Sequence, residues 1–373
     1  MNRTWCSLPW QGVIIQPWGK VQMCCYTDDV SDDDIQSYLN LPELLDIKKQ
    51  MLEGKQPEAC RVCWETEKLK KKSWRMKKNQ QLEHQLTDSQ KQNPKFHSFD
   101  YIELYISNKC NSKCRMCKPK WSTHWIKDYH NPVIKEIFNY SEEVEKQVVK
   151  YNSLSIDQLD QLADIINNKS TPTTISLRGG EPVYAEETFY LLEKIKDKNK
   201  VSIDLTTNGT IFNDKIFTLL KQFNNIHLGV SIDATDKLNR YIRGNDTPIE
   251  KLFENTKQFL QLPNISYFFI SNIIMIYNTF DNHNLKEACL QGLGFEPNYD
   301  DKFLFNPMHL KSHILPTKLK EKIQTSWLQS SIIDEPEDPQ LITKWRRWTT
   351  QLDKIRDESL VEIEPMFQEM YYG

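Results

Sequence analysis

Nine cysteines stand at positions 6, 24, 25, 60, 63, 110, 114, 117 and 289, and eight of them fall within the first 117 of 373 residues. Three of these, Cys110, Cys114 and Cys117, follow an apolar run from Tyr101 to Ile106 with the spacing C-x3-C-x2-C. Thiolates this close in one loop can hold three irons of a [4Fe–4S] cube and leave the fourth iron without a protein ligand. An iron with an open position can bind and activate a small molecule, whereas a cluster with four cysteine ligands mostly passes electrons. The pattern points to a catalyst. Zinc is the rival occupant, but it asks for a fourth nearby ligand, and His124 is the one candidate.

Downstream, Arg178-Gly179-Gly180-Glu181-Pro182 closes one apolar run and Thr207-Asn208-Gly209 closes the next. Val230-Ser231-Ile232-Asp233-Ala234 and Tyr241-Ile242-Arg243-Gly244 follow. Motif for motif and in order, the chain resembles the radical S-adenosylmethionine (SAM) superfamily over most of residues 98–310. The resemblance implies that Cys110, Cys114 and Cys117 bind the catalytic [4Fe–4S] cluster and that its open iron takes the methionine end of SAM. Gly179, Gly180 and Glu181 match the Gly-Gly-Glu-Pro motif that meets the SAM ammonium, with Pro182 in the first turn of a following helix. Asn208 and Ser231 match strand-end positions that meet the ribose and carboxylate, and Arg243 would pair with the carboxylate. The chemistry implied is reductive cleavage of SAM to a 5′-deoxyadenosyl radical, which removes a hydrogen atom from a substrate. The electron would come from a reduced flavodoxin or ferredoxin.

A second cysteine set, Cys6-x12-Gly19-x4-Cys24 followed by Cys60-x2-Cys63, resembles the twitch/SPASM accessory module that binds an auxiliary [4Fe–4S] cluster. Zinc held by the same four thiols stays open. Such modules usually follow the barrel; here it precedes it, as in a subgroup that the segment Leu352–Ser359 also resembles. Cys25 is a spare thiol beside Cys24, and Cys289 reads as a small buried apolar side chain.

The elements that must position these groups divide the chain in four: an accessory domain at 1–66, a basic helical linker at 67–97, a core barrel at 98–310 and a helical C-terminal extension at 311–373. The core offers six strand candidates, 100–106, 173–177, 201–206, 226–231, 266–276 and 302–306, separated by stretches with apolar residues three and four apart. Such alternation predicts an α/β fold with parallel pairing, and the resemblance makes it a partial (β/α)6 barrel. In parallel α/β barrels the active site forms at the C-terminal ends of the strands, and every motif above lies at or near such an end. Short strands at Gly12–Ile15 and Lys20–Cys24, an acidic loop at 28–34 and a helix through Leu41–Leu52 are expected in the accessory region. The stretch Lys68–Lys78 carries seven basic residues in eleven with Trp74 among them; it reads as a solvated linking helix, with a patch for phosphates, a nucleic acid or an acidic peptide substrate as the alternative. Trp5, Trp10, Trp18, Trp121 and Trp125 flank the cysteine segments and are expected to pack near the clusters.

A net charge of −3 gives no whole-molecule signature of nucleic-acid or membrane binding. No apolar run approaches the ~20 residues needed to span a bilayer, so a cytoplasmic location without membrane or nucleic-acid partners is expected. Nine cysteines there argue for metal or catalytic use rather than disulfides. The substrate expected is a peptide or protein, with a small molecule (nucleoside, sugar or cofactor precursor) as the alternative. An iron–sulfur electron carrier is the reading from another class, and the SAM motifs argue against it.

Overall fold

The computed structural model describes residues 4–27, 35–68, 70 and 72–372. The acidic loop expected at 28–34 and two residues of the basic stretch, Leu69 and Lys71, lie outside the described residues. Eight strands run in chain order: β1 (Gly12–Ile15), β2 (Val21–Gln22), β3 (Tyr101–Tyr105), β4 (Thr173–Arg178), β5 (Val201–Thr207), β6 (Asn225–Ser231), β7 (Ile265–Ile274) and β8 (Asn298–Phe303). The described residues divide into two compact units. One is built from residues up to 107, 152–205 and 222–226; the other from 108–151, 206–221 and 227 onward.

In the first unit the strand order is β2-β1-β3-β4-β5, antiparallel between β1 and β2 and parallel for the rest. Side chains alternate along a strand, so in-register residues share a face. Val13, Ile102, Ile175 and Ile203 are in register across β1, β3, β4 and β5, and all four are fully buried. Each such side chain is worth about 1.5–3 kcal/mol of burial. That apolar row explains why the N-terminal strand joins the same sheet as β3. On the opposite face the next row is Ile14 on β1 followed by polar Glu103, Ser176 and Asp204 on β3, β4 and β5.

The helix expected through 41–52 forms at Pro42–Leu52, with Pro42 in its first turn, where a missing N–H costs nothing. The solvated linker is corrected. In the helix Trp74–Leu82, Arg75, Lys78 and Leu82 are buried. The Arg75 guanidinium donates to the Trp5 carbonyl at 2.6 Å, pairs with Glu67 at 2.6 Å and lies 4.7 Å from the Trp64 ring centre. Lys78 Nζ sits 3.4 Å from the centre of the Tyr101 ring, and burial lowers its pKa to about 8. Charge count along the chain hid this, because long basic side chains bury their stems and find partners that the sequence does not show.

In the second unit β6 lies beside β7, and β7 pairs in parallel with β8, with Ile270 opposite Tyr299. The last strand thus runs over 298–303 instead of the expected 302–306. Its residues are mostly polar and half-exposed, so apolar runs could not locate it. Cys289 is fully buried on the helix Asn282–Leu293. The core of this unit gathers Trp125, Tyr241, Tyr277, Trp345, Trp348 and Phe367. Trp125 stacks on Trp348 with ring centres 5.4 Å apart. Trp345 and Trp348 come from the helix Pro339–Arg356, which Asp338 caps by accepting from the Gln340 and Leu341 amides at 3.0 Å each. No helix among the described residues is long and apolar enough to cross a membrane.

Candidate functional site

The loop carrying Cys110, Cys114 and Cys117 belongs to the second unit, where Cys110 is buried and the other two are half-buried. A tight turn closes it, the Cys117 amide donating to the Cys114 carbonyl at 2.8 Å. The Arg115 amide donates to Ile242 O at 2.7 Å and the Lys113 amide to Gly244 O at 3.3 Å, which ties the loop to the end of the helix Asp236–Arg243. Gly244 caps that helix with φ +58°, and a Cβ there would stand 2.5 Å from the Lys113 carbonyl oxygen. Glycine is therefore required twice over, by backbone conformation and by space. Trp125 Nε1 donates to Cys114 O at 2.7 Å.

Asn208 and Arg243, expected at SAM, also meet this loop. Asn208 Nδ2 donates to Asn111 Oδ1 at 2.8 Å and to Ser112 Oγ at 3.2 Å, and Asn245 Nδ2 reaches the same hydroxyl at 3.0 Å. Arg243 Nε stands 2.6 Å from Asp233 Oδ2, and its guanidinium also bonds the Cys114 thiol. Five N–H donors let one guanidinium serve a carboxylate and a sulfur and keep others for a ligand. Ser231 is buried at the end of β6. Burial raises the Cys114 thiol and pushes Cys117 up to about 12. Metal coordination reverses that trend by deprotonating the ligand.

Sequence reasoning passed over Arg115, which sits between two cysteines and is fully buried. Its Nε donates to Tyr241 O at 3.0 Å, one terminal nitrogen bonds Asp353 Oδ1 at 2.6 Å and also Glu358, and the guanidinium carbon lies 3.5 Å from the Tyr241 ring centre. The segment Leu352–Ser359 thus supplies the counter-charges for the cysteine loop. A lone arginine inside a cysteine motif is the only signal the sequence held.

Gly179, Gly180 and Glu181 lie in the first unit, just past β4. Gly179 adopts φ +112°, and a Cβ on it would come within 2.7 Å of Ser107 O; the Gly180 amide donates to that same oxygen at 2.9 Å. Glu181 is buried, and its Oε1 accepts from the Val183 amide at 3.3 Å. Pro182 does not open a helix: it lies in a turn, and the helix begins at Glu186. On the polar face of β3, buried Glu103 accepts from the Tyr101 hydroxyl at 3.0 Å and the Tyr105 hydroxyl at 2.9 Å. These residues alternate with Ile102 and Leu104, a period the apolar reading of the run concealed.

The second cysteine set converges within the first unit. Cys6, Cys24, Cys60 and Cys63 line one cavity together with Trp74 and Arg75. Burial raises the thiols of Cys6, Cys60 and Cys63, Cys60 to about 12, and neighbouring sulfurs add to it for all three. Cys25 is exposed and hydrogen-bonds Cys24, which pulls the Cys24 thiol down. Trp5 and Trp10 pack together nearby in the sequence, ring centres 5.5 Å apart. Among the described residues no three His, Cys, Asp or Glu side chains already stand in metal-holding geometry. The chemistry of the two donor sets nevertheless suits iron–sulfur clusters: three thiols in one loop, and four thiols on one cavity wall.

The family model for the radical SAM superfamily matches residues 104–289, about half of the chain. The chain belongs to the radical SAM superfamily. The relatives found are named as enzymes. The radical SAM cyclopropyl synthase TigE of Paramaledivibacter caminithermalis is 25% identical over 194 residues, covering 49% of this chain and 37% of that protein. The S-adenosylmethionine-dependent nucleotide dehydratase of Fibrobacter sp. is 24% identical over 182 residues, 48% of each. GTP 3′,8-cyclase of Aliarcobacter butzleri is 21% identical over 160 residues, 43% of this chain and 42% of that protein. The chain therefore matches less than half the length of these relatives. Among solved structures, native anSMEcpe with bound AdoMet is 19% identical with a TM-score of 0.39, covering 69% of this chain and 62% of that one. Streptococcus suis SuiB bound to precursor peptide SuiA is 14% identical with a TM-score of 0.34, covering 97% and 77%. Likenesses that loose carry no argument about site or substrate.

Proposed function

We propose that the chain is a radical SAM enzyme that cleaves SAM reductively and removes a hydrogen atom from a peptide or protein substrate. The carrying observation is the Cys110–Cys117 loop, pinned through Arg115 and Lys113 to the Ile242–Gly244 segment and through Ser112 to Asn208. When bound, a [4Fe–4S] cluster and SAM would supply the radical chemistry. The chain's own residues do the rest. Cys110, Cys114 and Cys117 would hold the cluster, and Arg243, positioned by Asp233, would face the SAM carboxylate with its remaining donors. Gly179, Gly180 and Glu181 would meet the SAM ammonium, and Asn208 and Ser231 its ribose and carboxylate. Strands β3–β8 would form a partial (β/α)6 barrel, with the domain boundaries expected above and a reduced flavodoxin or ferredoxin as donor.

Replacing Cys110, Cys114 and Cys117 together by alanine should abolish release of 5′-deoxyadenosine from SAM and dithionite under anaerobic conditions. Cleavage that persists in this variant would end the assignment. Cys6, Cys24, Cys60 and Cys63 would carry an auxiliary cluster, a reading supported by their shared cavity. The same triple variant tests it: about four irons per chain should remain, the content of one cube, whereas one zinc and no iron would refute it. A small-molecule substrate is the second reading, favoured because two relatives are named for nucleotides.

A further inference from the structure

A cavity of about 210 Å³ opens in the second unit directly beside Cys117. Lys118, Tyr140, His309, Lys344 and Trp348 line it with the cysteine, and no Asp or Glu is among its lining residues. Three of its walls carry a buried polar atom without a hydrogen-bond partner among the described residues: Tyr140 Oη, His309 Nε2 and Trp348 Nε1. His309 is 4% exposed and Trp348 1%, so these atoms cannot turn to bulk water. A buried polar group left unpaired forfeits its hydration without return, and three around one void call for an occupant. Burial and the flanking Lys344 and Lys118 lower the His309 imidazole to about 3, so it is neutral. Its tautomer can present an N–H at Nε2.

The inventory is one-sided. Two ammonium groups, a phenol and an indole N–H are all able to donate, and neither lysine has a carboxylate partner among the described residues. Trp348 and Phe138 add aromatic wall. The space is below the roughly 300–1,000 Å³ of a drug-sized pocket, which suits one functional group and its immediate frame.

We infer that this cavity is an anion-binding subsite, built to receive the carboxylate or phosphate of a compact ligand next to the cysteine loop. The anion would accept from Lys118, Lys344, Tyr140, Trp348 and the Nε2–H tautomer of His309, giving all three orphaned atoms a partner. The site is read from this chain's own side chains and does not require that SAM be cleaved.

Equilibrium dialysis of the full, anaerobically reconstituted chain against labelled inorganic phosphate and, separately, labelled glutarate tests the inference. Saturable binding of one anion per chain is expected in the millimolar range. Lys344→Gln should weaken it by about tenfold or more, as expected for a lost charge-assisted hydrogen bond, and Tyr140→Phe by about two- to tenfold. Lys344 is exposed, so its replacement leaves the fold intact, which circular dichroism and iron content verify. Phosphate alone binding identifies a phosphate-bearing ligand; glutarate binding, alone or with phosphate, identifies a carboxylate. Saturation by neither anion would overturn the inference, as would binding that survives in the Lys344→Gln/Tyr140→Phe double variant. Because the readout is anion binding, its failure leaves the SAM-cleavage assignment standing, and failure of SAM cleavage leaves the subsite standing.

Discussion

Arg115→Ala should destabilise the second unit and empty the cysteine loop of iron, although Arg115 ligates nothing. The side chain is fully buried and bonds Asp353, Glu358 and the Tyr241 carbonyl. Removing one partner of a buried pair costs about 3–5 kcal/mol, because the remaining charge stays out of water. Asp353 keeps three donors after the change: the Tyr241 hydroxyl at 2.8 Å, the Leu360 amide at 2.9 Å and the Tyr371 hydroxyl at 3.0 Å. The lower end, about 3 kcal/mol, is therefore expected. Glu358 is 26% exposed, so Glu358→Ala should cost below about 1 kcal/mol. In an Arg115→Met background, Asp353→Asn should recover part of the loss, since it removes the stranded charge. Urea titrations followed by tryptophan fluorescence give the midpoints, with iron per chain measured in parallel. An Arg115→Ala cost under about 1 kcal/mol, or no larger than that of Glu358→Ala, would refute the reasoning.

Gly244→Ala should lose about 1–2 kcal/mol to the left-handed backbone alone, with more from displacing Lys113, and should lower iron loading; full iron content at wild-type stability would contradict the docking of the loop on that helix end. Gly179→Ala should weaken SAM binding by equilibrium dialysis while leaving iron content unchanged, because Ser107 would be pushed out of place within the first unit. His97 supplies a pH test. Its Nδ1 accepts from the Phe99 amide and its Nε2 faces Gly12 O at 3.1 Å, and burial, helped by Lys48, holds it neutral down to about 3. The unfolded chain takes up this proton first, near 6.5, so stability is full above that value and falls as pH drops towards 3. His97→Gln should flatten the urea-midpoint profile between pH 7 and 5 (roughly the upper part of that window); an unchanged slope would count against this burial.

The cysteine spacings, the order of the glycine and asparagine motifs and the positions of β3 to β7 were legible in the chain, because each is a local signal. Thiol spacing fixes which irons one loop can reach, and apolar runs bounded by glycine mark parallel strands. Four charged or polar partnerships were not legible. Arg115 with Asp353 and Glu358, and Arg243 with Asp233, join residues that only folding brings together. Lys78 looked like part of a solvated charge run until the fold laid it on the Tyr101 ring. The polar strand β8 lacked the apolar run by which strands are found, and its place was set by pairing with β7. Cys6, Cys24, Cys60 and Cys63 could be grouped only by resemblance to an accessory module, and their common cavity, with Arg75 in its wall, depends on how the helix Trp74–Leu82 packs. The physical division is plain: thiols and backbone turns declare themselves over a few residues, whereas a buried charge is defined by a partner that the sequence places anywhere.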